Sequence, residues 1–179
     1  MKRRIAIALV CAAALVGTAT AEDPVSFPDA VLKEAVEQAL GLVDPTPTDM
    51  LGLESLTPVG VSAIRNLTGL EYALNLKTLN LNNHQICDLS PLSGLTQLGY
   101  LNIHENYLTD ISALSGLTNL YFLDLRLNQI QDISALAGLT SLRTLYLTGN
   151  RLNSEAYQIV IPLILANNPG ILLLADPRD

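Results

Sequence analysis

Leucine and isoleucine recur at a spacing of 22 residues through most of this chain. Leu76, Leu98, Leu120 and Leu142 form one column, Leu79, Leu101, Leu123 and Leu145 the next, and Leu81, Ile103, Leu125 and Leu147 a third. Further columns are Ile86, Leu108, Ile130 and Leu152, then Leu89, Ile111 and Ile133. Leu92, Leu114 and Leu136, with Leu95, Leu117 and Leu139, complete the apolar set. A fixed period of this length means a solenoid or array, because one unit cannot bury its own apolar face and must stack on its neighbours. The L-x-L core alternates with period two, which is a half-buried strand with leucines inward. The rest of each unit is too short for a full α-helix and is expected to be 3₁₀ or extended. Upstream, Ile64, Leu67, Leu70 and Ala73 keep the register, whereas Leu53 and Leu56 stand 23 residues before Leu76 and Leu79. That marks one degenerate coil ahead of four regular ones.

The unit reads L-x-x-L-x-L-x-x-N-x-[IL]-x-D-[IL]-x-x-L-x-x-L and resembles the leucine-rich repeats of bacterial internalins, from Phe27 to Asp179. The resemblance implies an α/β solenoid, a leucine-rich-repeat horseshoe. Its parallel β-sheet lies on the concave face, with short convex segments, a helical N-terminal cap and a helix-plus-strand C-terminal cap. Leu32, Ala35, Val36, Ala39 and Leu40 carry the helical spacing of the first cap, with Pro28-Asp29 at its start and Gly41 at its end. Thr46-Pro47-Thr48-Asp49 has the residues of a second helix start. After Leu152, Asn153 or Ser154 can open a helix toward Asn167, with Ala156, Tyr157, Val160, Ile161, Leu163 and Ile164 inward and Pro162 as a kink or restart. Ile171 to Leu174 then offers a last strand. The expected division is 1–21 signal peptide, 22–52 N-terminal cap, 53–152 repeats and 153–179 C-terminal cap.

Lys2, Arg3 and Arg4, the apolar run Ile5 to Val16, and Ala19-Thr20-Ala21 have the order of a secretory signal peptide. The apolar run is shorter than the ~20 residues that span a bilayer. The expectation is therefore export, to the periplasm or the medium, with no membrane insertion. Removing three of the ten basic residues and none of the acids takes the formal charge from −7 to −10. A balance that acidic disfavours nucleic acid, which is held through clustered Lys and Arg. Cys87 is the one cysteine left after cleavage. It shares a column with Thr109 and Gln131, so it is expected outward, in a monomer with an incidental thiol or, alternatively, in a Cys87-linked dimer.

Asn106, Asn128 and Asn150 recur where each strand turns, and His84 occupies the same column in the first regular coil. The resemblance implies that these asparagines form an internal ladder on backbone groups, with a His84 N–H replacing the amide. A histidine ligand is the alternative, but no second ligand stands at metal spacing nearby. Asp88, Asp110 and Asp132 precede the convex segments and are expected to cap their free N–H groups. Aligned carboxylates could also suggest calcium, without the D-x-D or nonapeptide spacing that calcium sites use.

No G-x-S-x-G, H-E-x-x-H or C-x-x-C motif, nor any phosphate-cradling glycine loop, occurs, so the reading is non-catalytic with no cofactor and no metal, a hydrolase being the remote alternative. What escapes the leucine pattern is the outward strand face. Tyr100, Asn102, His104, Phe122, Asp124, Arg126 and Tyr146 are the candidate partner-binding residues. Exposed aromatics beside an arginine are typical of binding hot spots, although any strand face favours aromatics. The partner class is a protein or peptide, or alternatively a glycan stacked on the same rings.

Overall fold

The computed structural model describes residues 22–59 and 63–177. The expected signal peptide lies outside the described residues. Among the described residues six parallel strands form one sheet in chain order: β1 Ser55–Leu56, β2 Thr78–Asn80, β3 Tyr100–Asn102, β4 Phe122–Asp124, β5 Thr144–Tyr146 and β6 Leu172–Leu174. The register follows the sequence columns, pairing Leu79 with Leu101, Leu101 with Leu123 and Leu123 with Leu145. At the first rung Leu56 pairs with Leu79, so the one-residue excess is absorbed between the strands rather than in them. Short 3₁₀ turns at Leu70–Tyr72, Ser90–Leu92, Ser112–Leu114 and Ser134–Leu136 make the convex side.

Stacking the coils encloses a single core that runs the length of the molecule. Leu79, Leu101, Leu123 and Leu145 are wholly buried, as are Leu76, Leu98 and Leu120 from the neighbouring column. The aspartates do what their column suggests. Asp88, Asp110 and Asp132 accept from the backbone N–H of Ser90, Ser112 and Ser134 at 2.8, 2.8 and 2.7 Å, at the start of each 3₁₀ turn.

Helix α1, Ala30–Leu40, closes the N-terminal end with Leu32, Ala35 and Val36 turned onto the core. Ala39, expected inward, is exposed. Asp29 caps α1 through one carboxylate oxygen, and its other oxygen accepts from Arg65 and Asn66 N–H at 2.7 and 3.2 Å. Burial alone would raise its pKa, but these backbone bonds outweigh that and lower it. Helix α2, Pro47–Met50, starts with a capping box between Thr46 and Asp49.

At the other end, Asn153 accepts from Ala156 N–H at 2.8 Å. A π-helical stretch, Ala156–Val160, then leads into α3, Ile161–Asn167. Pro162 lies where the π-helical stretch passes into α3 without a break, so the chain is helical from Ser154 to Asn167. Leu163, expected inward, is 42% exposed, because the wide π turn rotates the following residues.

Three residues past the end of each of β2 to β5 stands a left-handed residue: Asn83, Glu105, Leu127 and Gly149 have φ of 59°, 54°, 52° and 75°. Their N–H groups continue the sheet past the strands, the first three to the carbonyls of His104, Arg126 and Thr148 at 2.9 Å. Gly149 has no further coil there, and Asp176 accepts from it instead at 2.6 Å. A Cβ at Gly149 would also come within 2.6 Å of Leu127 Cδ2 and 3.2 Å of the Leu127 backbone, so a side chain there would force that leucine to shift.

Candidate functional site on the concave face

Parallel pairing in register places equivalent outward residues side by side. One row runs Thr78, Tyr100, Phe122, Thr144, Leu172, and the next Asn80, Asn102, Asp124, Tyr146, Leu174. Tyr100 and Phe122 stack with ring centroids 4.3 Å apart and planes 5° from parallel. Tyr146 meets Phe122 from the other side, at 5.9 Å and 89°. The Arg126 guanidinium lies 4.8 Å from the centre of the Tyr146 ring. The three aromatics and the arginine therefore form one contiguous cluster across β3, β4 and β5.

Asp124 departs from the expectation of an outward, solvated side chain. It is 1% exposed. Arg126 closes over it with hydrogen bonds from Nε at 2.9 and 3.1 Å and from Nη2 at 2.6 Å, and Arg126 N–H adds another at 3.1 Å. The carboxylate in turn raises the arginine pKa further. His104 stands on the adjacent coil, with Nδ1 2.8 Å from Asn102 Oδ1 and 3.7 Å from Asp124 Oδ2. Glu105 lies 3.7 Å from the other ring nitrogen.

Beneath this face lies the asparagine column. Asn128 accepts from Leu108 N–H at 3.0 Å and donates to the carbonyls of Ile103, Leu125 and Arg126 at 3.1, 3.1 and 3.2 Å. Asn106 repeats the pattern one coil earlier, accepting from Ile86 N–H and donating to Leu81, Ile103 and His104. Asn150 does so one coil later, toward Ile130, Leu125 and Leu147. His84 differs from the sequence expectation: its Nδ1 accepts from Ile64 N–H at 3.3 Å, so the ring replaces the amide oxygen, not its N–H.

Burial lowers the His84 pKa, with Asp29 acting weakly the other way. A histidine whose folded value lies below its unfolded one contributes stability above about pH 6.5, and that share is lost as pH falls through the folded value. The melting temperature should therefore drop between pH 7.5 and 5 more in the wild type than in His84→Asn, which retains an acceptor that does not titrate. Identical drops in the two proteins would show that His84 has no part in the acid response.

The sequence reading missed Leu172 and Leu174, which are each 48% exposed and extend the same face by one strand. It also passed over Tyr121, 46% exposed, whose ring sits against Gly99 so closely that a Cβ there would meet it at 2.8 Å. Cys87 is exposed, as its column suggested. Among the described residues, no group of three His, Cys, Asp or Glu is placed to hold a metal ion, and no helix is long and apolar enough to cross a membrane.

The leucine-rich-repeat family model matches residues 110–152, the segment that carries Phe122, Asp124, Arg126 and Tyr146. Internalin C2 of Listeria monocytogenes is similar over 86% of this chain and 78% of its own, with 32% identity and a TM-score of 0.61. This chain belongs to the internalin-like leucine-rich-repeat proteins. A second Listeria internalin, InlF, is 30% identical over 84% of this chain with a TM-score of 0.68, and the internalin-like chain spans 52% of its length. No curated protein matches it. Shared with both solved internalins is the repeat scaffold; the concave cluster is written in the outward positions that this scaffold leaves free.

Proposed function

We propose that this internalin-like protein is an exported, non-catalytic binding module that holds a protein or peptide partner on its concave face. The observation that carries the reading is the interlocked cluster of Tyr100, Phe122, Tyr146 and Arg126. Rings packed against one another are ordered before a partner arrives, so little side-chain entropy is lost on binding. Their mutual packing also speaks for a protein partner over a glycan. A sugar stacks on a free ring face, and Phe122 is flanked by Tyr100 on one side and Tyr146 on the other. The leader-like segment 1–21 supports export, to the periplasm or the medium.

Affinity capture from the native cell envelope, read by mass spectrometry, tests the proposal with matched variants. Phe122→Ala and Tyr146→Ala should weaken capture about tenfold or more, the effect of losing 1–2 kcal/mol at a hot spot. Ser134→Ala on the convex side should leave it intact. Normal capture by both concave variants, or its loss in the convex one, would move the binding surface elsewhere.

A further inference from the structure

The two ends of this solenoid are finished differently. At the N-terminal end α1 covers the last leucines and turns Glu34 and Gln38 to solvent. At the C-terminal end β6 is the edge of the sheet, and it consists of three leucines. Edge strands of this kind are ordinarily blunted by lysine, proline or a covering element, because unpaired N–H and C=O groups are a template for another strand. Leu172 N–H donates inward to Arg143 O at 2.9 Å, and Leu174 O accepts from Leu147 N–H at 2.7 Å. Successive residues of a strand alternate sides, so the N–H and C=O of Leu173 point to the free edge.

Charge narrows the choice of occupant. No Asp, Glu, Lys or Arg occurs between Glu155 and Asp176, in a chain that is 15% charged overall. A formal net charge of −7, or −10 without the expected leader, opposes contact between two copies over most of the surface. Between these two flanking acids the segment carries no charge to repel a second copy, and Leu163 and Leu165 of α3 add exposed apolar area within it. A patch without charge is complementary to itself, which is what a two-fold interface demands.

We propose that β6 is the docking edge for a second copy of this chain, the two β6 strands pairing antiparallel about a two-fold axis at Leu173. An antiparallel hydrogen-bonded pair exchanges both N–H···O bonds between two facing residues, so Leu173 of each copy satisfies the other. The result is a continuous sheet of twice six strands. At about 4.8 Å per strand its concave face widens from about 24 Å to about 53 Å, enough for a partner of ordinary size. This departs from the single copy expected from the sequence, and it does not use Cys87.

Sedimentation equilibrium of the exported protein under reducing conditions should show twice the chain mass at tens of micromolar, falling toward one on dilution. The Leu173 amide should exchange with deuterium at least tenfold more slowly in the concentrated sample than in the dilute one. Leu172→Lys and Leu174→Lys, which place a charge at the edge, should raise the dissociation constant at least tenfold while leaving the circular dichroism of the dilute protein unchanged. A single-chain mass at every concentration overturns the proposal. So does a dimer that survives both lysine variants, one whose Leu173 amide exchanges at the dilute rate, or one that forms only when reductant is omitted.

Discussion

Asn128→Ala should lower unfolding stability by about 3 kcal/mol, whereas Asn102→Ala should change it by less than about 1 kcal/mol. The two residues are both asparagines within a few ångströms of the same sheet, so composition does not distinguish them. Their partners do. Asn128 is 6% exposed and satisfies one backbone N–H and three carbonyls drawn from two successive coils. Alanine leaves those groups without the amide, and each buried polar group left unpaired costs about 1–3 kcal/mol before water enters to relieve some of it. Asn102 is half-buried, and its side chain bonds only to His104, two residues along the same coil. Urea midpoints for the two variants measure the contrast. Equal midpoints would mean that the turn column does not hold the coils together.

The solenoid was legible because its core asks for the same residue at every turn. A leucine that faces inward in one coil has a leucine above and below it, so burial is written as a 22-residue column. The caps were legible where their chemistry is local, as in Thr46 with Asp49 or Asp29 with the first turn of α1. Three features escaped for physical reasons. Left-handed backbone at Asn83, Glu105, Leu127 and Gly149 is a shared conformation without a shared side chain, so no column of residue types announces it. The sequence offers a last strand at Ile171 to Leu174 but not its register: β6 pairs Leu172 with Thr144, an offset of 28, because the capping helix is inserted between them. The orientation of the His84 ring depends on which backbone group reaches it, and that group is 20 residues away.

The concave face was legible only as a set of free positions. Sequence placed Tyr100, Phe122, Tyr146 and Arg126 outward and so implied that none of them bears on stability. The rings fit that picture, since each is half-buried over a core the leucines complete without it. Arg126 does not fit it, because its partner Asp124 comes from an outward position yet is closed off from water.

Arg126→Ala should consequently destabilise the protein by about 3 kcal/mol, the lower end of the cost of breaking a buried ion pair by removing one partner. The lower end applies because the guanidinium side is 42% exposed, so water can replace part of what it provided. What remains is a carboxylate 1% exposed in the native packing, with one backbone N–H and, at 3.7 Å, the His104 ring for company. The Tyr146 ring also loses the cation over its face. If the penalty is the stranded charge, removing it should recover most of the loss: Asp124→Ala with Arg126→Ala should be more stable than Arg126→Ala alone, by about 2 kcal/mol. Thermal or urea unfolding of the two single variants and the double variant closes this cycle. Additive losses would show that the pair is solvated and that Arg126 is free to be read purely as a contact residue. Recovery in the double variant would show that the arginine serves two ends, neutralising a buried charge and ordering the aromatic cluster. A loss of binding in Arg126→Ala then has to be read beside Phe122→Ala and Tyr146→Ala, which remove contact area without stranding a charge.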